Sequence, residues 1–220
     1  WCRCPTEITA TVAPEASNDR RFPRLTQEHL EWTSPITNRV LVEVVGMHLF
    51  ERWGRMHLQD AGSLHDAAQL AAEPLMIPVT EQSTGLLYRM RNTFNNTVVP
   101  NYAYRAAVSY VPGAHSFKFG WNMTHGYLEQ TTYDFQPLSY RVDRPIAAGG
   151  VFNQLTQRAT PFTALSNEDA DMGLFAQERW TIKRATVSGA LRFDYFKTSF
   201  PEQQVGPGPL VTARNFTFPA

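Results

Sequence analysis

The segment from Ser116 to Tyr127 alternates almost without a fault between apolar and polar side chains. Successive side chains of a β-strand point to opposite faces, so this segment predicts a strand with one aromatic face and one face without a large apolar group. The alternation lasts for about 12 residues, whereas strands of soluble proteins usually have about 5 to 6. A strand of that length is typical of proteins that cross a bilayer.

Two further segments repeat this alternation on either side of predicted turns. Residues 101–110 place Tyr102, Tyr104 and Val108 on one face, and residues 186–195 do the same with Leu191 and Phe193. The segment from 171 to 182 follows the pattern less well, and the first pair of strands, roughly 22–33 and 39–53, is weaker still. Together these segments predict about six long strands.

The connections between these strands alternate in length. Short ones are predicted at residues 34–38, 112–115 and 183–185, of which Pro112-Gly113 has clear turn chemistry. The two long connections cover roughly residues 54–100 and 130–169. The first is predicted to contain a helix of about ten residues that starts at Ser63, and the second a hairpin formed by residues 138–143 and 151–160. Short turns on one side and long loops on the other are typical of bacterial membrane barrels, with the turns in the periplasm. The predicted fold class is therefore all-β: an antiparallel membrane β-barrel fragment, whose strands form one continuous open sheet.

The two faces of the strands are expected to meet different solvents. The side chains predicted to face lipid are Tyr104, Val108, Phe117, Phe119, Trp121, Met123, Leu191 and Phe193. Those predicted to face the lumen, or to contact a ligand, are Arg105, Lys118, Asn122, Gln177, Arg179, Arg192 and Asp194. We expect these polar groups mainly to hydrate the interior and to pair with one another.

Composition narrows the classes of function. Hydrophobic residues make up 43% of the chain, which fits both a soluble β protein and a barrel, but no stretch approaches the about 18 apolar residues of a membrane helix. Twenty basic and twenty acidic residues cancel, so a nucleic-acid partner is not expected.

No motif of a hydrolase, metalloprotease or nucleotide enzyme is present, so we predict that the chain is not an enzyme and has no cofactor. The spacings of His48, His57 and His65 favour solvated loop histidines over a metal site. Cys2 and Cys4 lack further zinc ligands at suitable spacing, which leaves a disulfide in an oxidising compartment or a pair whose partners lie elsewhere.

Several segments resemble one family of membrane proteins. Residues 173–184, followed by 189–195, are similar to the paired strands of TonB-dependent outer-membrane receptors, particularly the Oar-like group, and residues 34–39 and 153–161 resemble further segments of that group. The resemblance runs from about Phe22 to Pro219 and depends on the order and spacing of segments rather than on one short motif.

The resemblance has consequences for function and location. It implies a barrel of about 22 strands around an N-terminal plug, in the outer membrane of a Gram-negative type of cell, that takes up a scarce ligand with energy from the TonB complex. Residues 1–220 would then be part of the barrel domain, without the signal peptide, plug and C-terminal closing strand. Outer-membrane lipid, the plug domain, the TonB complex and an unidentified transported ligand would be the partners.

Two other functions remain open. A secreted or periplasmic β-sandwich binding module would bury the aromatic rows in a dry core instead of facing them to lipid. A passive porin would share the barrel but lack the plug, so the upstream sequence separates it from a receptor. The pattern of residues leaves the transported ligand unspecified.

Overall fold

The computed structural model describes residues 3–6, 9–16, 18–56, 77–91, 93–134 and 136–218, and this part of the chain is all-β. It contains no α-helix, and its only helical turns are two 3₁₀ turns at Pro14–Ala16 and Ile146–Ala148. The strands are β1 (Arg3–Thr6), β2 (Asn18–Thr37), β3 (Val40–Met56), β4 (Val79–Glu81), β5 (Leu87–Tyr88), β6 (Thr93–Tyr110), β7 (His115–Asp134), β8 (Leu138–Val142), β9 (Phe152–Gln157), β10 (Phe162–Ile182), β11 (Ala185–Ser199), β12 (Gln203–Val205) and β13 (Arg214–Phe216).

Six long strands form the main part of one antiparallel sheet, in the order β2-β3-β6-β7-β10-β11. Their lengths are 20, 17, 18, 20, 21 and 15 residues, longer than the alternation alone predicted. The predicted continuous open sheet is confirmed, since in the described part of the chain no pairing joins β2 to β11. Its edges are not wholly bare, because β1 pairs with the start of β2.

Short turns connect the long strands at one end of the sheet. The second predicted turn is confirmed, because β6 ends at Tyr110 and β7 begins at His115. The third is confirmed as well, because Lys183 and Arg184 link β10 to β11. The first predicted hairpin is confirmed, but its turn lies later than residues 34–38, at Asn38 and Arg39, because Pro35 lies within β2. Proline lacks an amide donor and is tolerated there because this part of β2 is an edge, next to a bulge between residues 35 and 37.

At the opposite end, a second sheet has the order β5-β4-β8-β9. The predicted hairpin of β8 and β9 is confirmed, and β8 pairs in parallel with β4 rather than with a strand of the large sheet. Val79 of β4 and Val142 of β8 are at most 1% exposed. Met90 and Phe94 are buried to the same degree, and Phe94 of β6 stacks on Tyr133 of β7 at 5.6 Å between centroids. The buried apolar side chains of the described residues therefore lie mainly in the second sheet and at the start of β6.

One carboxylate closes the hairpin of β8 and β9. The Val151 amide donates a hydrogen bond of 2.7 Å to Asp143 Oδ1, and this bond, with the nearby Arg144, lowers the pKa of Asp143. A lowered folded-state pKa means that the interaction stabilises the hairpin at and above the ordinary carboxyl pKa. Its contribution is lost as pH falls through the lower, folded-state pKa.

The chain after β11 returns to the large sheet. Strands β12 and β13 form a short antiparallel hairpin, and Val205 of β12 pairs with Phe162 at the start of β10. Gln203 Nε2 also donates a hydrogen bond of 3.0 Å to the Leu165 carbonyl oxygen. This Pro/Gly-rich segment therefore has a defined place beside β10.

Two glycines of the large sheet provide a test of its close backbone packing. A Cβ at Gly126 would lie 2.4 Å from the Pro100 carbonyl oxygen, whereas a Cβ at Gly46 would have no atom within 4 Å. We expect Gly126→Ala to lower the free energy of unfolding by about 1–3 kcal/mol, because backbone must move, and Gly46→Ala to leave it nearly unchanged. Denaturant titrations followed by tryptophan fluorescence measure both, and equal effects would contradict the register of β6 and β7.

Candidate functional site

Cross-strand pairing gathers the apolar side chains of six strands on one side of the large sheet. Val42, Val108 and Phe119 are successive partners across β3, β6 and β7, and the row continues through Ala176 and Leu191. The same register places all eight side chains predicted to face lipid on this side, which we call the apolar face: Tyr104, Val108, Phe117, Phe119, Trp121, Met123, Leu191 and Phe193.

The apolar face is exposed. Leu191 is 82% exposed, Phe193 59% and Phe119 52%, and Leu30 and Trp32 of β2 are exposed as well. Monomeric soluble proteins seldom expose apolar patches larger than a few hundred Å², and larger ones mark interaction with lipid or protein. An apolar face that spans six strands is therefore a site that needs an occupant.

The opposite side, which we call the polar face, collects the residues that the sequence predicted to face a lumen. These are Arg105, Lys118, Asn122, Gln177, Arg179, Arg192 and Asp194. The register brings them to one face from four strands, β6, β7, β10 and β11. Leu41, Val45 and Met47 of β3 share it, so the β3 part of this face is less polar.

The strongest contact on the polar face crosses a whole strand. Lys118 Nζ of β7 donates a hydrogen bond of 2.6 Å to Glu43 Oε2 of β3, and the pair spans β6, where Ala107 is a small, buried residue. Arg105 adds a second positive charge that acts on Glu43. Glu43 was not among the predicted site residues, although its position within the apolar run 40–47 was a signal that it needs a partner.

A second polar group joins three of the predicted residues. Arg192 Nε donates a hydrogen bond of 2.7 Å to Asp194 Oδ1, and Arg192 Nη2 lies 3.4 Å from Asn122 Oδ1. Gly173 makes this possible, because a Cβ there would lie 2.5 Å from Arg192 Nη2. Guanidinium, carboxylate and amide are thus held together above a glycine of β10.

Phe175 departs from the alternation of β10, because its large apolar side chain lies on the polar face. Its ring lies over Gly120 of the neighbouring strand, where a Cβ would be 2.2 Å from the ring. The ring occupies the space that the glycine leaves and covers its backbone.

Glu178 is the matching exception on the apolar face. Glu178 Oε1 lies 2.7 Å from His115 Nδ1, near the short turns. The His115 ring stacks on Trp180 at 5.2 Å and on Phe117 at 5.8 Å between centroids. The charged group is thereby paired at the end of the aromatic rows, and sequence reasoning did not identify this pair.

The interpretation of His48 as a solvated loop histidine is wrong, because His48 lies within β3, where the strand predicted at residues 39–53 had also placed it. Its ring stacks on Tyr102 at 4.5 Å, and Tyr102 stacks on His125 of β7 at 5.1 Å, which makes a column of three rings across three strands. Among the described residues, no group of His, Cys, Asp or Glu could hold a metal ion.

Four sequence predictions lie outside the described residues: the roles of His57 and His65, the helix from Ser63 and the pairing of Cys2. Cys4 is part of the backbone of β1.

Comparison of the chain with models of protein families, with curated proteins and with solved structures finds no match. Across the ranges that the structure describes, no helix has the length and apolar character needed to cross a membrane.

The Glu43–Lys118 pair predicts a measurable coupling energy. The two side chains are only 30% and 24% exposed, whereas Arg192 and Asp194 are both more than half exposed. In double-mutant cycles with Glu43→Gln and Lys118→Met, we expect a coupling of about 1 kcal/mol, against less than about 0.5 kcal/mol for Arg192→Met and Asp194→Asn, because water screens the exposed pair. Denaturant unfolding of the chain in detergent micelles gives both energies. A larger coupling for Arg192 and Asp194 would show that the Glu43–Lys118 contact does not contribute as described.

Proposed function

We propose that this chain forms part of the wall of an outer-membrane β-barrel of the TonB-dependent receptor type. The observation that carries the proposal is the exposed apolar face, which spans six consecutive strands of 15–21 residues and lies opposite a polar face. In a membrane barrel the outer side of the wall meets hydrocarbon and the inner side meets water, so each strand alternates in this way.

Dimensions support a bilayer as the occupant of the apolar face. Ten residues separate Phe117 near the short turns from Tyr127, and at about 3.3 Å per residue and a tilt near 40° they give a height of roughly 25 Å, the apolar band of such barrels. The strands continue beyond this height toward the second sheet. The short turns would then lie in the periplasm and the second sheet outside the cell.

The exposure of side chains on β3 and β7 supports the polar face as the inner side of the wall. Lys118 and Glu43 are largely covered although they are long and charged, while apolar side chains of the same strands, such as Phe119 and Val44, are exposed. Side chains converge on the concave side of a curved sheet and diverge on its convex side. The polar face would line a hydrated interior and, in a receptor, touch a plug.

The assignment to TonB-dependent receptors rather than porins depends on the resemblance of residues 22–219 to the Oar-like group. On this proposal the chain contributes to energy-coupled uptake of a scarce ligand and carries out no reaction. The full-length gene separates the two functions, since a plug domain of roughly 100 or more residues ahead of the barrel belongs only to a receptor.

A β-sandwich binding module is less well supported. In a sandwich the aromatic rows form a dry core about 10 Å thick between two sheets. Here the second sheet has only short strands of 2–6 residues, and the apolar face of the large sheet stays exposed.

Arginine substitutions on the two faces test the membrane wall. We expect Trp121→Arg to destabilise the full-length barrel in lipid vesicles by about 2–4 kcal/mol, because the charge would lie in hydrocarbon near the midplane. Thr124→Arg on the polar face should cost much less, since its cross-strand neighbour Asp171 provides an opposite charge and water reaches that side. Folding titrations into vesicles measure both energies.

The matched position is Thr124 rather than Asn122, because Asn122 already contacts Arg192 and pairs with Arg105, so a new arginine there would add repulsion. Equal costs for the two substitutions, or a larger cost at Thr124, would mean that the apolar face does not face lipid.

A further inference from the structure

The apolar face ends in two opposed arginines on the side of the long connections. Arg24 of β2 and Arg52 of β3 are direct cross-strand partners, and they follow Phe50 on the same face. Both side chains are exposed. We call these two residues the arginine pair.

The arginine pair has no acidic partner among the described residues. Arg52 Nε donates a hydrogen bond of 3.0 Å to Asn96 Oδ1, and the Arg24 guanidinium lies 4.5 Å above the Phe50 ring. Two acids with described side chains lie on the same face, but neither forms an ion pair with these arginines: Glu28 contacts His48, and no salt bridge joins Glu129 to Arg52. Like charges directly opposite each other destabilise a sheet, so this arrangement favours a bound anion.

The height of the arginine pair agrees with a headgroup layer. Arg52 is 12 residues beyond Val40, the first residue of β3. At about 3.3 Å per residue and a tilt near 40°, this is roughly 30 Å from the short turns, just above an apolar band of about 25 Å. Exposed apolar side chains, including Leu30 and Val44, lie below it on the same two strands.

We propose that the arginine pair binds the anionic phosphomonoester headgroup of a membrane lipid on the long-loop side, an inference that rests on the proposed membrane wall. The guanidinium fork matches phosphate oxygens in a bidentate manner, and the Phe50 ring holds Arg24 in place for this contact. A lipid is the occupant rather than free phosphate, because the exposed face below the pair accommodates acyl chains while the arginines hold the headgroup.

Binding of the full chain to vesicles tests the proposal. Flotation compares phosphatidylcholine vesicles with phosphatidylcholine vesicles that contain phosphatidic acid, a phosphomonoester lipid. The wild-type chain should bind both, and phosphatidic acid should strengthen the binding. In the double variant Arg24→Gln, Arg52→Gln, this preference should fall by about 30-fold, the effect of two arginines near an anionic surface.

The matched control is Lys183→Gln, Arg184→Gln, which removes the same charge from the exposed turn at the other end of the sheet. It should keep most of the preference, and circular dichroism should show that both variants keep their strand content. Equal losses in the two double variants would overturn the proposal in favour of general charge attraction. So would binding of inorganic phosphate, measured by calorimetry, without any preference for phosphatidic acid.

The test separates this inference from the proposed function. If the wild-type chain binds neither kind of vesicle, the membrane wall itself is wrong. If it binds both equally, the wall stands and the phosphate site fails.

Discussion

The structure depends on the in-register pairing of six consecutive strands. Side chains alternate with a period of two, so a slip of one residue between any two strands would move every side chain of one strand to the wrong face. Because each strand pairs over almost its whole length, the two faces remain separate from β2 to β11. Both the exposed apolar face and the hydrogen-bonded polar face follow from this register.

Two departures of β10 from the alternation are each compensated by a residue on the neighbouring strand. Glu178 on the apolar face is paired with His115, and Phe175 on the polar face lies over Gly120. Arg192 occupies space that Gly173 leaves open. Each exception is satisfied by one neighbour, so the charges and rings that break the pattern do not disturb the register.

The two proposals place different parts of the same face in different layers of a membrane. The aromatic rows would lie in hydrocarbon, and the arginine pair would lie in the headgroup layer above them. The polar face would stay hydrated, where its ion pairs hold the inner wall together. The second sheet buries Val79 and Val142, and at the start of β6 the large sheet buries Phe94.

The sequence alone determined most of the strand pattern and both faces, because alternation is local and can be read along a single strand. It predicted the strand from Phe117 to Tyr127, the turn at Pro112-Gly113 and the hairpin of β8 and β9. It placed the first turn a few residues too early, because Pro35 favours a turn but is also tolerated in a strand at a sheet edge.

Only the tertiary structure decided which distant residues meet. Glu43 and Lys118 are 75 residues apart, and the two arginines of the pair are 28 residues apart in sequence. Such contacts depend on the register between strands. The parallel pairing of β4 with β8 is a further long-range contact for which a single strand carries no signal. The alternation therefore sets which face a side chain occupies, whereas the pairing of strands sets its neighbours on that face.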